Sequence, residues 1–179
     1  MKLNINHMKE GENTYLFDSR EHAWLGDVIK QVSEKGYTLK SPLFVKLNFT
    51  KLEPEYYLKG QIQFSIDQNC ARCTDPFDFA VNHQFDIALA HTAHNHAVKI
   101  DKIEPENNEL DIHFFDEFEI ELNPILVEQF VLSIPYQVVC KNDCKGLCQF
   151  CGRNLNENDC NCATQNVSSP FSILKEIKI

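Results

Sequence analysis

Six cysteines within the 23 residues 140–162, CKNDCKGLCQFCGRNLNENDCNC, constrain this chain more than any other feature. Their spacing is C-x3-C-x3-C-x2-C-x8-C-x-C. The segment is rich in Asn, Asp and Lys, so an apolar core does not explain its order. Cys70 and Cys73 bring the total to eight in 179 residues. The opening MKLNINHMKEGEN has no apolar h-region and is not an Arg-rich, acid-poor transit peptide. A cytoplasmic location is therefore expected. In that compartment disulfides are disfavoured and metal ligation is favoured.

Zinc is the metal these ligands suit. It takes four thiolates in a tetrahedron with bonds of about 2.3 Å. Cys148-Gln-Phe-Cys151-Gly152 has the form of a zinc knuckle, with Gly152 supplying the turn's backbone freedom. Cys160 and Cys162 return the chain to complete a first site. Cys70 and Cys73 with Cys140 and Cys144 form a possible second site, which clips the tail onto a hairpin. The pairing into fours leaves swaps open, such as Cys144 for Cys148. One or two structural zinc ions are expected. The alternative is a thiol-redox or metal-responsive regulator using the Cys70–Cys73 pair. A redox dithiol of the thioredoxin kind follows a strand and opens a helix. Here the pair lies in the turn-rich link DQNCARCTDP, which favours the metal reading.

The charge narrows the partners. Lys plus Arg number 17 against 26 Asp plus Glu, a formal charge of −9. Non-specific nucleic-acid binding rests on cations neutralising phosphates, and here those cations are outnumbered. Each four-thiolate zinc site carries a formal −2, so two would take the chain to about −13. A basic partner fits that balance better than a bare RNA duplex, and direct RNA contact stays open. No stretch approaches the roughly 18 uninterrupted apolar residues of a membrane span.

Period-two alternation marks half-buried strands. It places Leu43, Val45, Leu47 and Phe49 on one face, then Leu58, Ile62, Phe64 and Ile66, then Phe77 to Leu89. The last two runs read as a hairpin. Residues 24–35 read as a short amphipathic helix ended by Gly36. Strand-like pieces follow at 111–115 and 118–122. A second helix is expected with Asn123 as N-cap and Pro124 as its first residue, turning Leu126/Phe130 and Val127/Val131 inward. Residues 99–110 are a polar, acidic loop. The expected fold is α+β: an antiparallel β-rich domain, as hairpins, a sheet or a partly open barrel, with a few short helices and a Cys-rich zinc-binding tail. The expected divisions are a core at 1–139, the Cys-rich segment docked on it at 140–162, and a linker with a short helix at 163–179.

Other chemistry is thin. His91, His94 and His96 lack a carboxylate among them and read as a strand-end cluster. His83 reads as a satisfied core or edge histidine, and Trp24 as a packing residue. Glu117, Glu119 and Glu121 alternate with Phe118, Ile120 and Leu122, as on a solvated strand face. No G-x-S-x-G, P-loop or dinucleotide fingerprint is present. No catalytic residue and no small-molecule substrate are expected.

The chain resembles the YceD family, also called DUF177, of large-ribosomal-RNA-subunit accumulation proteins. The resemblance rests on Cys70-Ala-Arg-Cys73 with Pro76-Phe77, FEIELNPILVEQFVLSIP at 118–135, DCKGLCQFCGRNLNENDCNC at 143–162, and PFSILKEIK at 170–178. It implies a non-enzymatic factor promoting 23S rRNA accumulation and large-subunit biogenesis. The implied partner is a large-subunit precursor or a basic ribosomal protein. Some members keep only the C-x-x-C pair, which implies that the tail is a stabilising clasp.

Overall fold

The fold is taken from a computed structural model that describes residues 1–52, 55–91, 111–115 and 118–164. The chain divides into two compact units, Met1–Gln68 with Asp78–Tyr136 and Asn69–Phe77 with Gln137–Ile179.

The first unit is built on strands β1 (Lys2–Asn4), β2 (Gly11–Asp18), β3 (Phe44–Leu52), β4 (Glu55–Asn69), β5 (Pro76–His91), β6 (Asp111–Phe115) and β7 (Glu119–Glu121). Helices α1 (Leu25–Glu34) and α2 (Leu122–Leu132) complete it. One sheet has the order β2-β3-β4-β5-β6, and β1 pairs with β7 in a second. The architecture is thus α+β and β-rich, with the main sheet open rather than closed into a barrel.

The alternation is visible in the burial. Val45, Leu47 and Phe49 on β3, Leu58, Ile62, Phe64 and Ile66 on β4, and Val81, Phe85, Ile87 and Leu89 on β5 are all buried. β2, β3 and β4 pair antiparallel, with Leu47 opposite both Tyr15 and Gly60. Lys59 reaches Asp86 and Gln61 reaches Asn82, so β4 and β5 also run in opposite directions. β6 departs from the expected pattern. It pairs parallel to β5, with Leu89 opposite His113. A parallel pair needs a crossover rather than a tight hairpin, and residues 92–110 separate the two strands.

α1 buries Leu25, Val28 and Val32, and just past its C-cap Lys35 the chain turns at Gly36, where φ is +93°. Trp24 packs edge-on against Phe17, with ring centroids 5.1 Å apart. α2 starts two residues earlier than its capping signal implied. β7 runs directly into it, Glu121 takes the N-cap position, and Pro124 falls inside the first turn. Proline is tolerated there because the first-turn N–H groups have no intrahelical partner. Asn123 instead uses its Oδ1 to accept a hydrogen bond from the Met1 nitrogen at 2.9 Å. The helix is also buried more widely than two inward pairs. Leu122, Ile125, Leu126, Val127, Gln129 and Phe130 are buried, whereas Val131 is only half-buried. Phe130 stacks on Phe64 at 3.9 Å, and Gln129 meets the His83 ring nitrogen at 3.2 Å. That contact gives the buried amide oxygen a partner on an otherwise apolar surface.

Lys2 bridges Glu119 and Glu121 at 3.2 and 3.4 Å on the solvent side of the small sheet. The acidic segment 99–110, Glu117 and the C-terminal helix expected within 163–179 lie outside the described residues, apart from 163 and 164.

Gly60 makes a close approach to a neighbouring strand. A Cβ placed there would fall within the ring of Phe85, so the ring covers the bare glycine backbone. Gly60→Ala is expected to destabilise the protein by about 1–3 kcal/mol through overpacking. The urea midpoint should fall, and Phe85→Leu in the same chain should recover part of the loss. Additive effects of the two changes would contradict the contact.

Candidate metal centres

All eight cysteines gather in the second unit as two sets of four. Cys70, Cys73, Cys140 and Cys144 form one set, and Cys148, Cys151, Cys160 and Cys162 the other. Within each set the sulfurs lie within 4.8 Å of one another. Of the groupings left open by the spacing, the structure takes this one.

The first set draws on distant segments. Cys70 and Cys73 sit in the turn between β4 and β5, and Cys140 follows Cys73 by 67 residues. The two segments are joined by the Ala71 N–H donating to the Val138 carbonyl at 2.8 Å. Arg72 adds its Nη1, which donates to the carbonyls of Cys144 at 3.1 Å and Asn142 at 3.4 Å. Cys70, Cys73 and Cys144 are buried, with Phe77 and Val139 packed against them.

The two C-x-x-C turns are the same turn built twice. In the first, the Thr74 N–H donates to the Cys70 carbonyl at 2.9 Å and the Arg72 N–H to Cys70 Sγ at 3.4 Å. In the second, the Gly152 N–H donates to the Cys148 carbonyl at 2.9 Å and the Phe150 N–H to Cys148 Sγ at 3.5 Å. The residue after the second cysteine is left-handed in both, with φ of +64° at Thr74 and +69° at Gly152. Glycine adopts that conformation freely, whereas a β-branched threonine does so under strain. The Cys70–Cys73 pair therefore has the form of a knuckle and does not open a helix.

Sulfur spacing fits a tetrahedral ion. Metal–sulfur bonds of about 2.3 Å give a tetrahedron with edges of about 3.8 Å. Cys70 and Cys144 are 3.8 Å apart and Cys73 and Cys140 are 3.7 Å apart. A disulfide would bring two sulfurs to about 2.05 Å.

The electrostatics point the same way. Burial acts to raise the Cys70 thiol, but the N–H groups of Cys73, Cys140 and Arg72 outweigh it and bring it down to about 6. N–H groups of Cys151 and Phe150 bring Cys148 down to about 6. The Asn156 amide lowers Cys144. Burial and the Cys70 thiol raise Cys140. Cys162 is pushed up to about 12, first by its hydrogen bond with Cys151 and then by burial. One ionised sulfur thus opposes ionisation of the next. A bound cation removes that conflict, since coordinated thiols are deprotonated outright. The donor set fits a soft divalent ion, with each centre closed by four sulfurs.

Sequence reasoning missed the supporting shell. Asn156 donates through Nδ2 to Cys144 Sγ at 3.4 Å, and Asn154 donates to Asp75 Oδ2 at 2.6 Å. In sequence these asparagines signal only turns. Gly146, at φ +74°, lies beneath the Arg72 carbonyl, where a Cβ would come within 3.1 Å of that oxygen. Of the three-histidine cluster, only His91 is described. It ends β5 with its ring 5.1 Å from Phe115 and 4.8 Å from Phe118. Among the described residues, no helix is long and apolar enough to cross a membrane.

Two glycine exchanges should act in opposite directions on the metal-loaded protein. Gly146→Ala is expected to destabilise the second unit by about 1–3 kcal/mol, from its positive φ and the contact with Arg72. Thr74→Gly is expected to stabilise it by up to about 1 kcal/mol by relieving strain. Protease resistance of residues 137–164 reads both, and a loss of resistance in Thr74→Gly would contradict the strain argument.

The comparisons come from sequence. The profile of a family described as "Large ribosomal RNA subunit accumulation protein YceD" matches residues 58–178, a span holding all eight cysteines. Among curated proteins, the chain is similar to the chloroplastic "Large ribosomal RNA subunit accumulation protein YCED homolog 1" of Zea mays. The two are 26% identical over 172 residues, covering 84% of this chain and 59% of the relative. The Arabidopsis thaliana protein of the same name is 23% identical over 163 residues, covering 80% of this chain and 51% of the relative. The chain thus spans between half and three fifths of the length of these relatives. No solved structure matches it. Because the profile covers about two thirds of the chain, including both knuckles and α2, the chain belongs to the YceD family.

Proposed function

We propose that this protein promotes accumulation of the large-subunit ribosomal RNA by binding, not by catalysis, and that each four-cysteine centre holds a structural zinc ion. The observation that carries the reading is the family match over residues 58–178. Both relatives are named for the same role. The closed four-sulfur sets support a structural zinc, because a catalytic zinc keeps a position for water or substrate. Cys70, Cys73, Cys140 and Cys144 hold one ion, and Cys148, Cys151, Cys160 and Cys162 the other.

The ligand is a large-subunit precursor, engaged through a basic ribosomal protein. Two tetrathiolate zinc ions deepen the negative charge of the chain from −9 to about −13, which suits a cationic partner. The place of action is wherever large subunits assemble, the cytoplasm or the plastid. Depletion should lower mature 23S rRNA, and the protein should co-sediment with large-subunit precursors. Normal 23S levels and normal precursors after depletion would refute the role.

The low Cys70 thiol favours a second reading, a thiol-redox or metal-responsive regulator. Native mass and thiol titration separate the two. Two zinc ions per chain with all eight thiols slow to alkylate until a chelator is added are expected for the structural role. A metal-free chain carrying disulfides, or a rapidly alkylated Cys70, would move the regulator to the front. Serine at Cys148 or Cys151 should remove one ion and expose residues 140–162 to protease, since metal binding contributes directly to folding.

A further inference from the structure

We propose that the two centres bind metal cooperatively, because the loop that closes the Cys148 centre forms part of the wall of the Cys70 centre. This rests on the metal reading above. Residues 152–159 connect Cys151 to Cys160, two sulfurs of the Cys148 centre. From this loop, Asn156 Nδ2 donates to Cys144 Sγ, a sulfur of the other centre, at 3.4 Å. The same amide accepts from the Lys145 N–H through Oδ1 at 2.9 Å. Asn154 holds it in place, its Oδ1 accepting from Asn156 N at 3.0 Å and Nδ2 at 2.8 Å. Asn154 Nδ2 then donates to Asp75 Oδ2, two residues beyond Cys73.

Backbone contacts run parallel to this relay. The Leu155 N–H donates to the Gly146 carbonyl at 2.9 Å, and the Leu147 N–H to the Arg72 carbonyl at 3.1 Å. The loop thus touches a ligand sulfur, the 145–147 segment and the end of the first knuckle. An ion held by Cys148, Cys151, Cys160 and Cys162 pins both ends of the loop and orders it. Asn154 and Asn156 then meet the Cys70 centre already in position, so the second ion binds without the cost of ordering them. Linkage makes the benefit equal in the reverse direction. Asn156 is a positioning residue, acting on the metal through the Cys144 sulfur, and such partners are worth about 10–100-fold in metal affinity.

The test uses full-length, metal-free protein and Co2+, followed by sulfur-to-metal charge-transfer absorption with a competing chelator. Cys160→Ser/Cys162→Ser leaves the Cys70 centre alone, and Cys70→Ser/Cys73→Ser leaves the Cys148 centre alone. The association constant of the unaltered protein for two ions should exceed the product of the two single-centre constants by at least about tenfold. A ratio near one overturns the proposal while leaving two structural ions intact. Failure of the unaltered chain to bind any ion overturns the metal reading as well.

Because serine pairs can unfold the unit, asparagine variants that keep all eight sulfurs provide an independent arm. Asn154→Ala/Asn156→Ala should weaken each centre about tenfold or more when the other is loaded, bringing the ratio above close to one, and leave the Cys148 centre little changed when the Cys70 centre is empty. Asn156→Asp keeps the acceptor for Lys145 but removes the donor to sulfur. It should shift the cobalt charge-transfer band of the Cys70 centre, a readout that a merely structural role would not move. Unchanged affinity and an unchanged band in these variants would overturn the proposal.

Discussion

Four sulfurs held within 4.8 Å of one another cannot all ionise unless a cation sits among them. The second unit is organised around that conflict, twice. Backbone N–H groups stabilise the Cys70 and Cys148 thiolates, and Cys73 and Cys162 are pushed the other way. With little apolar surface between residues 140 and 162, burial cannot take the place of the ion. The hydrogen bonds here orient the eight thiols rather than build a core. This explains why so polar a segment has defined turns, with Gly146 and Gly152 both at positive φ.

The first unit is stabilised by different means. Its sheet carries alternating apolar residues on one face, and α2 is buried around most of its circumference. The stacked Phe64–Phe130 pair and the Gln129–His83 contact tie helix to sheet in two ways, by apolar area and by a buried hydrogen bond. Dispersion and water exclusion dominate here, and ligand geometry dominates in the other unit.

Legibility in the sequence followed the physics of each feature. β3, β4 and β5 were readable because one face of each is buried, which imposes a period of two. β2 carries a weaker signal. It is an edge strand with Leu16 67% exposed while Tyr15 and Phe17 are only half-buried, so its apolar residues do not alternate cleanly. The strand at 111–115 was readable as a strand, but alternation carries no direction and could not reveal parallel pairing with β5. Asn123-Pro124 has the chemistry of a helix start, yet β7 delivers the chain into α2 before it, and tertiary pairing overrides the local signal. The two sets of four cysteines were legible from their spacing, since sulfurs so closely placed in a polar segment suit a shared metal. Asn154 and Asn156 were not, because their role depends on a loop folding back onto Cys144, across twelve residues in the case of Asn156.

The 66 residues between Cys73 and Cys140 give the Cys70 centre one more consequence. An ion shared by these two cysteines is a cross-link that closes a long loop of chain, as a disulfide would. If it persists in the unfolded chain, a closure of that length removes conformational freedom equivalent to about 4 kcal/mol in the chain-entropy description. Unlike a disulfide, the link is set by the supply of free metal rather than by an oxidant. Metal scarcity would then loosen the unfolded ensemble as well as the native tail, linking the refolding of this protein to the metal status of its surroundings.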